Sequence, residues 1–159
     1  MKGDNVMPKM KVYRIPREDG TKAPLPVYST PGAACFDIYS ANLENIIIPP
    51  GKTVKIPTGM KMEIETGWQL KLNNRSGLGT NENVQLAHCT GTVDEDYRGE
   101  VFIPLYNRGN HCFIVTPEMR VCQGELTPKY ETVFEEVESE SDLSVTERGD
   151  GGFGHTGTN

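Results

Sequence analysis

Apolar and polar positions alternate in short runs along almost the whole chain, and Pro or Gly closes nearly every run. Met60, Met62 and Ile64 sit on one side of such a run, Trp68, Leu70 and Leu72 on the next, and Val101, Ile103 and Leu105 on a third. A period of two places these residues on one face of a half-buried strand. Further strands are predicted at Lys9–Ile15, Ala33–Tyr39, Asn45–Ile48, Lys52–Ile56 (closed by Pro57), Val84–Val93, Val101–Tyr106, Phe113–Thr116, Val121–Leu126 and Lys129–Phe134. Helical periodicity is scarce, and only Ser76–Asn83 is expected to form a short helix. Many short strands separated by turn residues predict an all-β barrel or sandwich.

Length and composition narrow this picture. The chain has 159 residues and 36% hydrophobic content, which suits one domain with a modest core and leaves room for burial between subunits. The formal net charge of −6 argues against a broad polynucleotide-binding face, but not against a nucleotide, which needs only local cations. Cys35, Cys89, Cys112 and Cys122 lack C-x-x-C spacing, so they read as scattered thiols of a reducing compartment. No signal-like stretch opens the chain and no run approaches the ~18 apolar residues of a membrane span, so a cytoplasmic protein, cellular or viral, is expected. The Asn74-Arg-Ser76 sequon then carries no meaning.

Near Glu135 the character changes. Glu135 to Asp142 is an acidic, solvated stretch, and Arg148 to Asn159 contains five glycines. The expected organisation is a β-domain over residues 1–147 and a flexible Gly-rich segment over 148–159, too poor in apolar surface to order itself alone. Two nucleotide fingerprints fail on context. Gly51-Lys-Thr53 lacks the P-loop's earlier glycine, since Ile46 occupies that position. Gly149, Gly151 and Gly154 satisfy G-x-G-x-x-G, yet no strand precedes them and no helix has room to follow. Glycines still let backbone N–H groups approach phosphate closely.

Five blocks, in order, carry a more specific pattern: Pro31-Gly-Ala-Ala-Cys-Phe-Asp37-Ile-Tyr-Ser-Ala41; Asn74-Arg75-Ser76-Gly77-Leu78-Gly79; Gly91-Thr-Val-Asp94-Glu-Asp96-Tyr97-Arg98-Gly99; Arg120-Val-Cys-Gln123; and Arg148-Gly-Asp-Gly-Gly-Phe153-Gly-His-Thr-Gly157. Together they resemble the motifs of the trimeric dUTPase family. The third and fifth blocks are the most specific. The resemblance implies a distorted jelly-roll β-barrel, a homotrimer with a swapped C-terminal tail, and active sites built where subunits meet. It also implies hydrolysis of dUTP to dUMP and pyrophosphate with Mg²⁺.

Residue chemistry and resemblance together assign the candidate roles. Asp94 is a candidate general base that activates a water for attack on the α-phosphorus. Tyr97 is a candidate packing surface for deoxyribose that leaves no room for a 2′-OH. Arg75, Ser76 and Gly77 offer a guanidinium fork, a hydroxyl and an accessible backbone to phosphate, although Ser76 also suits a helix start. Gln123 and Arg148 are further phosphate contacts. A Phe flanked by glycines has no local core to join, so Phe153 is expected to stack on the base, with Gly154, His155 and Thr156 around the triphosphate. Asp37 is expected to reach the water shell of Mg²⁺, or to orient its neighbours, the metal itself riding on the triphosphate. Leu86 to Cys89 is the expected uracil-reading segment, with His88 in it.

Departures from the family pattern fall at Asn74 (Pro is usual), Cys35 (Gly), Cys122 (Ala), Gly124-Glu125 (apolar residues) and His88, where some members have Asn. They bear on specificity more than on reaction type. Two alternatives stay open: a dCTP deaminase of the same fold, which would release ammonia from dCTP, and a regulatory trimer that uses its acidic segment to dock a partner.

Overall fold

The computed structural model describes residues 7–152. Ten strands and one short helix follow in order: β1 Met10–Arg14, β2 Phe36–Tyr39, β3 Ile46–Ile48, β4 Thr53–Ile64, β5 Trp68–Asn73, α1 Ser76–Asn81, β6 Val84–Leu86, β7 Gly91–Val93, β8 Glu100–Asn107, β9 Phe113–Val115 and β10 Arg120–Pro128. They form two four-stranded antiparallel sheets, β1-β4-β8-β6 and β2-β10-β5-β7, and a two-stranded sheet, β3-β9. The alternating residues supply the core: Met60, Met62, Ile64, Leu70, Leu72, Ile103 and Leu105 join one buried cluster with Ile38, Ile56 and Val121. This is the all-β architecture expected from the alternation, of the jelly-roll type that the family resemblance implies.

The structure corrects three strand expectations. Pro57 does not end a strand, because β4 runs through it to Ile64. The proline (opposite Phe102) falls at the edge of a register irregularity in the pairing with β8, which resumes at Lys61 opposite Glu100, while β1 joins the other side of β4 only from Met60 onward. Its missing N–H therefore interrupts no continuous ladder. The expected run Val84–Val93 is two strands in different sheets, joined by a turn over 87–90 in which Cys89 has φ +62°. Lys129–Phe134 forms no strand. Beyond the Lys129 N–H to Gly67 carbonyl bond this stretch meets no sheet edge among the described residues, and Tyr130, Val133 and Phe134 are 86%, 93% and 91% exposed. The acidic stretch is exposed but holds a single 3₁₀ turn, Glu140–Asp142, closed by a reciprocal Ser139–Asp142 capping box.

Gly124, one of the departures, has a packing reason. It pairs across the sheet with Phe36, and a Cβ there would lie 2.5 Å from the Phe36 ring. The ring fills that space and meets Tyr28 edge-on at 5.6 Å.

Candidate active site

Two groups of the candidate residues assemble separately. The first surrounds a cavity of about 340 Å³ on one side of the barrel, lined by Leu72, His88, Gly91, Asp94, Tyr97 and Glu100 among others. β7 carries the chain to Asp94 and β8 carries it away. Between them a turn closes with the Tyr97 N–H donating to the Asp94 carbonyl at 3.2 Å. Glu95 fastens this turn to the barrel: its carboxylate accepts from the Gly67 N–H at 2.6 Å and from Lys129 Nζ at 2.8 Å. These bonds, that from Lys129 first, hold the Glu95 carboxyl below its ordinary range. Asp94 is exposed, and no hydrogen bond engages its carboxylate among the described residues. The Tyr97 hydroxyl donates to the Glu100 carbonyl at 2.8 Å, so the ring folds back over Gly99. A Cβ at Gly99 would collide with the phenol, at 2.3 Å, which is why glycine stands there.

The second group centres on Asp37, which β2 presents and which is 2% exposed. Ser29 Oγ (2.7 Å) and Arg120 Nη1 (3.2 Å) donate to Oδ2. Gln123 Nε2 donates to Oδ1 at 3.2 Å, and Arg75 Nε stands 3.5 Å from the same oxygen. The cross-strand pairing of Gln123 with Asp37 on one side and Asn73 on the other places β10 between β2 and the start of α1. One buried carboxylate thus gathers side chains from the first, second and fourth sequence blocks. Burial pushes the Asp37 carboxyl up, but the donors Ser29, Gln123 and Arg120 and the Arg120 charge outweigh it and hold the carboxyl below its ordinary range.

A depressed carboxyl pKa contributes stability above its unfolded value, and that contribution is lost as pH falls through the folded value. The melting temperature should therefore lose an Asp37 contribution only below about pH 4. Asp37→Asn should melt lower at neutral pH and show a smaller acid-dependent decline than wild type in thermal scans from pH 7 to 3. Parallel curves would remove this role.

Arg75 takes the N-cap position of α1 without a side-chain cap bond, and Ser76 and Gly77 open the helix. Ser76 is therefore inside the first turn rather than capping it. Arg148 lies in an exposed turn, its Nε donating to the Gly151 carbonyl at 2.8 Å. Phe153, Gly154, His155 and Thr156 lie outside the described residues. The residues lining the Asp94 and Tyr97 cavity do not include Asp37, Arg75, Arg120 or Gln123. Ser29 and Arg120 were not singled out from sequence. Arg120 sits in the fourth block and was legible there, whereas nothing local marks Ser29, eight positions before its carboxylate. No helix among the described residues is long and apolar enough to cross a membrane.

Comparison with known proteins places this geometry. A family model described as dUTPase matches residues 21–157. The deoxyuridine 5'-triphosphate nucleotidohydrolase of Chlamydia pneumoniae is 43% identical over 133 residues, 84% of this chain and 90% of that protein. The corresponding protein of Acinetobacter baylyi is 40% identical over 150 residues, 94% of this chain and 98% of that one. Among solved structures, a Staphylococcus bacteriophage 80alpha dUTPase variant with dUpNHpp shares the fold, with a TM-score of 0.75 at 21% identity over 94% of this chain and 98% of that one. Family match, identity and fold agree with the five sequence blocks: the chain belongs to the dUTPase family.

Proposed function

We propose that the protein hydrolyses dUTP to dUMP and pyrophosphate as a homotrimer, each active site being completed across a subunit interface. The observation that carries this reading is the division of the site within one chain. A cavity with an unengaged carboxylate and an aromatic wall, Asp94 and Tyr97, is not lined by the donor cluster Arg75, Arg120 and Gln123 tied to Asp37. Nucleoside and triphosphate need both, and a neighbouring copy supplies the missing half. Exposed Tyr130, Val133 and Phe134, on a segment with no strand partner among the described residues, suit burial against that neighbour. In the same arrangement residues 1–147 form the barrel and 148–159 the lid, with Phe153 over the base and Arg148, Gly154, His155 and Thr156 at the phosphates.

The chemistry follows from the residues. Asp94 takes a proton from a water whose oxygen attacks the α-phosphorus. The bond from that phosphorus to the bridging oxygen breaks, and pyrophosphate leaves. Arg75, with Ser76 and Gly77 beside it, and Gln123 hold phosphate oxygens, and Asp37 keeps the guanidiniums and the carboxamide in place. Both Asp37 oxygens already accept from protein donors, and two guanidiniums pair with the carboxylate, so Asp37 suits orienting its neighbours better than meeting a metal directly. This donor set fits Mg²⁺ carried on the triphosphate, with water between metal and protein. When bound there, Mg²⁺ withdraws charge from the phosphates. Tyr97, held by Glu100 and backed by Gly99, forms the wall that a 2′-OH would strike.

Tyr97→Ala is accordingly expected to reduce the preference for dUTP over UTP by about 10-fold or more, as steric rejection of one added group allows; kcat/KM for the two nucleotides checks it, and an unaltered ratio refutes the steric role. The reading as a whole is tested by pyrophosphate release from dUTP, UTP, dCTP and dTTP, with and without Mg²⁺. Release confined to dUTP and dependent on Mg²⁺ is the expected result. Ammonia from dCTP without pyrophosphate from dUTP would overturn it.

A further inference from the structure

We propose that Asn74 is a positioning residue that sets the shape of the base-reading turn and thereby the preference for uracil over cytosine, an inference that rests on the reading of the chain as a dUTP hydrolase. β6 is an edge strand of its sheet. Its inner side is satisfied by β8, where the Ala87 N–H donates to the Pro104 carbonyl at 2.9 Å. Alternation sends the Leu86 N–H to the opposite, unpaired side. There Asn74 Oδ1 accepts it at 2.6 Å, while Asn74 Nδ2 donates to the Cys89 carbonyl at 3.2 Å. One carboxamide thus does for the turn what a neighbouring strand would do, supplying an acceptor and a donor side by side. The proline usual in the family at this position has neither group on its side chain.

The turn needs such a hold. The Cys89 N–H donates to the Leu86 carbonyl at 3.2 Å and the Thr90 N–H to the His88 carbonyl at 2.7 Å, closing a γ-turn around Cys89 at φ +62°. That is a left-handed conformation a non-glycine residue adopts only when its surroundings impose it. His88 grips the same turn from within: its Nδ1 is 3.2 Å from the Thr90 carbonyl oxygen. A carbonyl only accepts, so Nδ1 bears the proton, and in the neutral tautomer this selects, Nε2 is the acceptor. The ring packs on Gly91, where a Cβ would lie 2.9 Å from Cε1, and it lines the cavity with Asp94 and Tyr97. Uracil offers an N3–H to such an acceptor, whereas cytosine opposes it with a lone pair. Asn74, outside the cavity, holds the backbone that aims His88 into it.

The experiment compares wild type, Asn74→Ala and Asn74→Asp in steady-state kinetics with dUTP and dCTP, and by hydrogen exchange at the Leu86 amide. Loss of a hydrogen bond of ordinary strength predicts, for Asn74→Ala, a rise of about 10-fold in KM for dUTP and a matching fall in the dUTP-to-dCTP ratio of kcat/KM, with kcat within about twofold. Exchange at Leu86 should quicken. Asn74→Asp keeps the acceptor for Leu86 but not the donor to Cys89, so Leu86 should stay protected while the ratio still falls. An unchanged ratio and KM in Asn74→Ala overturn the proposal, as does a fall in kcat and melting temperature that leaves the ratio intact. Wild-type protein that releases no pyrophosphate from dUTP overturns instead the activity on which it rests, while the exchange at Leu86 still reports on the bridge.

Discussion

Asp94→Asn is expected to lower dUTP turnover by about 10³-fold, in the middle of the range that a positioned general base contributes. The carboxamide is isosteric but cannot take a proton from water. Asp94 is exposed, and its carboxylate makes no hydrogen bond among the described residues, so the substitution removes no structural contact there. Its backbone carbonyl, which closes the turn with Tyr97, is unaffected. Melting temperature should therefore stay within error, and a non-hydrolysable imido analogue of dUTP should bind with an affinity close to wild type. Pyrophosphate release and calorimetric titration separate the two effects. Normal turnover would remove Asp94 as the base. A variant without hydrolysis but with full biological effect would instead favour the regulatory alternative.

Removing residues after Glu147 should leave a folded assembly that hydrolyses dUTP about 10²-fold less efficiently, the size of effect that follows when groups positioning a substrate are lost. The segment just before the cut contributes little to the core, since Leu143 is 60% exposed and Val145 fully exposed. Arg148 bonds only within its own turn among the described residues. Sedimentation and thermal melting of the shortened chain should match wild type, while kcat/KM falls. Unchanged turnover would dispose of the lid, and loss of the trimer would show that the tail holds subunits together rather than closing a site.

Much of the fold was legible because it depends on local alternation. Met60, Met62, Ile64, Leu70 and Leu72 repeat every second residue, and water exclusion alone puts them inside. What misled was always a question of partners. Pro57 looks like a strand breaker, yet it falls at a bulge in the pairing of β4 with β8, where no ladder bond is lost. Lys129–Phe134 has the composition of a strand but pairs with no edge among the described residues. Val84–Val93 reads as one run because nothing in Cys89 announces a positive φ. Among the site residues, Asp94 and Tyr97 share one turn and were visible as a block. Ser29 was not, because it meets Asp37 only through the folding of the chain between them. Asn74 was visible only as a departure from a pattern.

From the amino-acid sequence alone came the all-β class, the family and the candidate residues for the chemistry, since side-chain identity and local period suffice to name each. Only the tertiary structure decided that Asp37 ties together Arg75, Arg120 and Gln123, that Asp94 and Tyr97 stand at a cavity which that group does not line, and that Asn74 braces the turn bearing His88. The physical reason is common to all three. A hydrogen bond or a buried charge pair is satisfied by whichever group the fold brings within about 3 Å, and separation along the chain places no limit on which group that is.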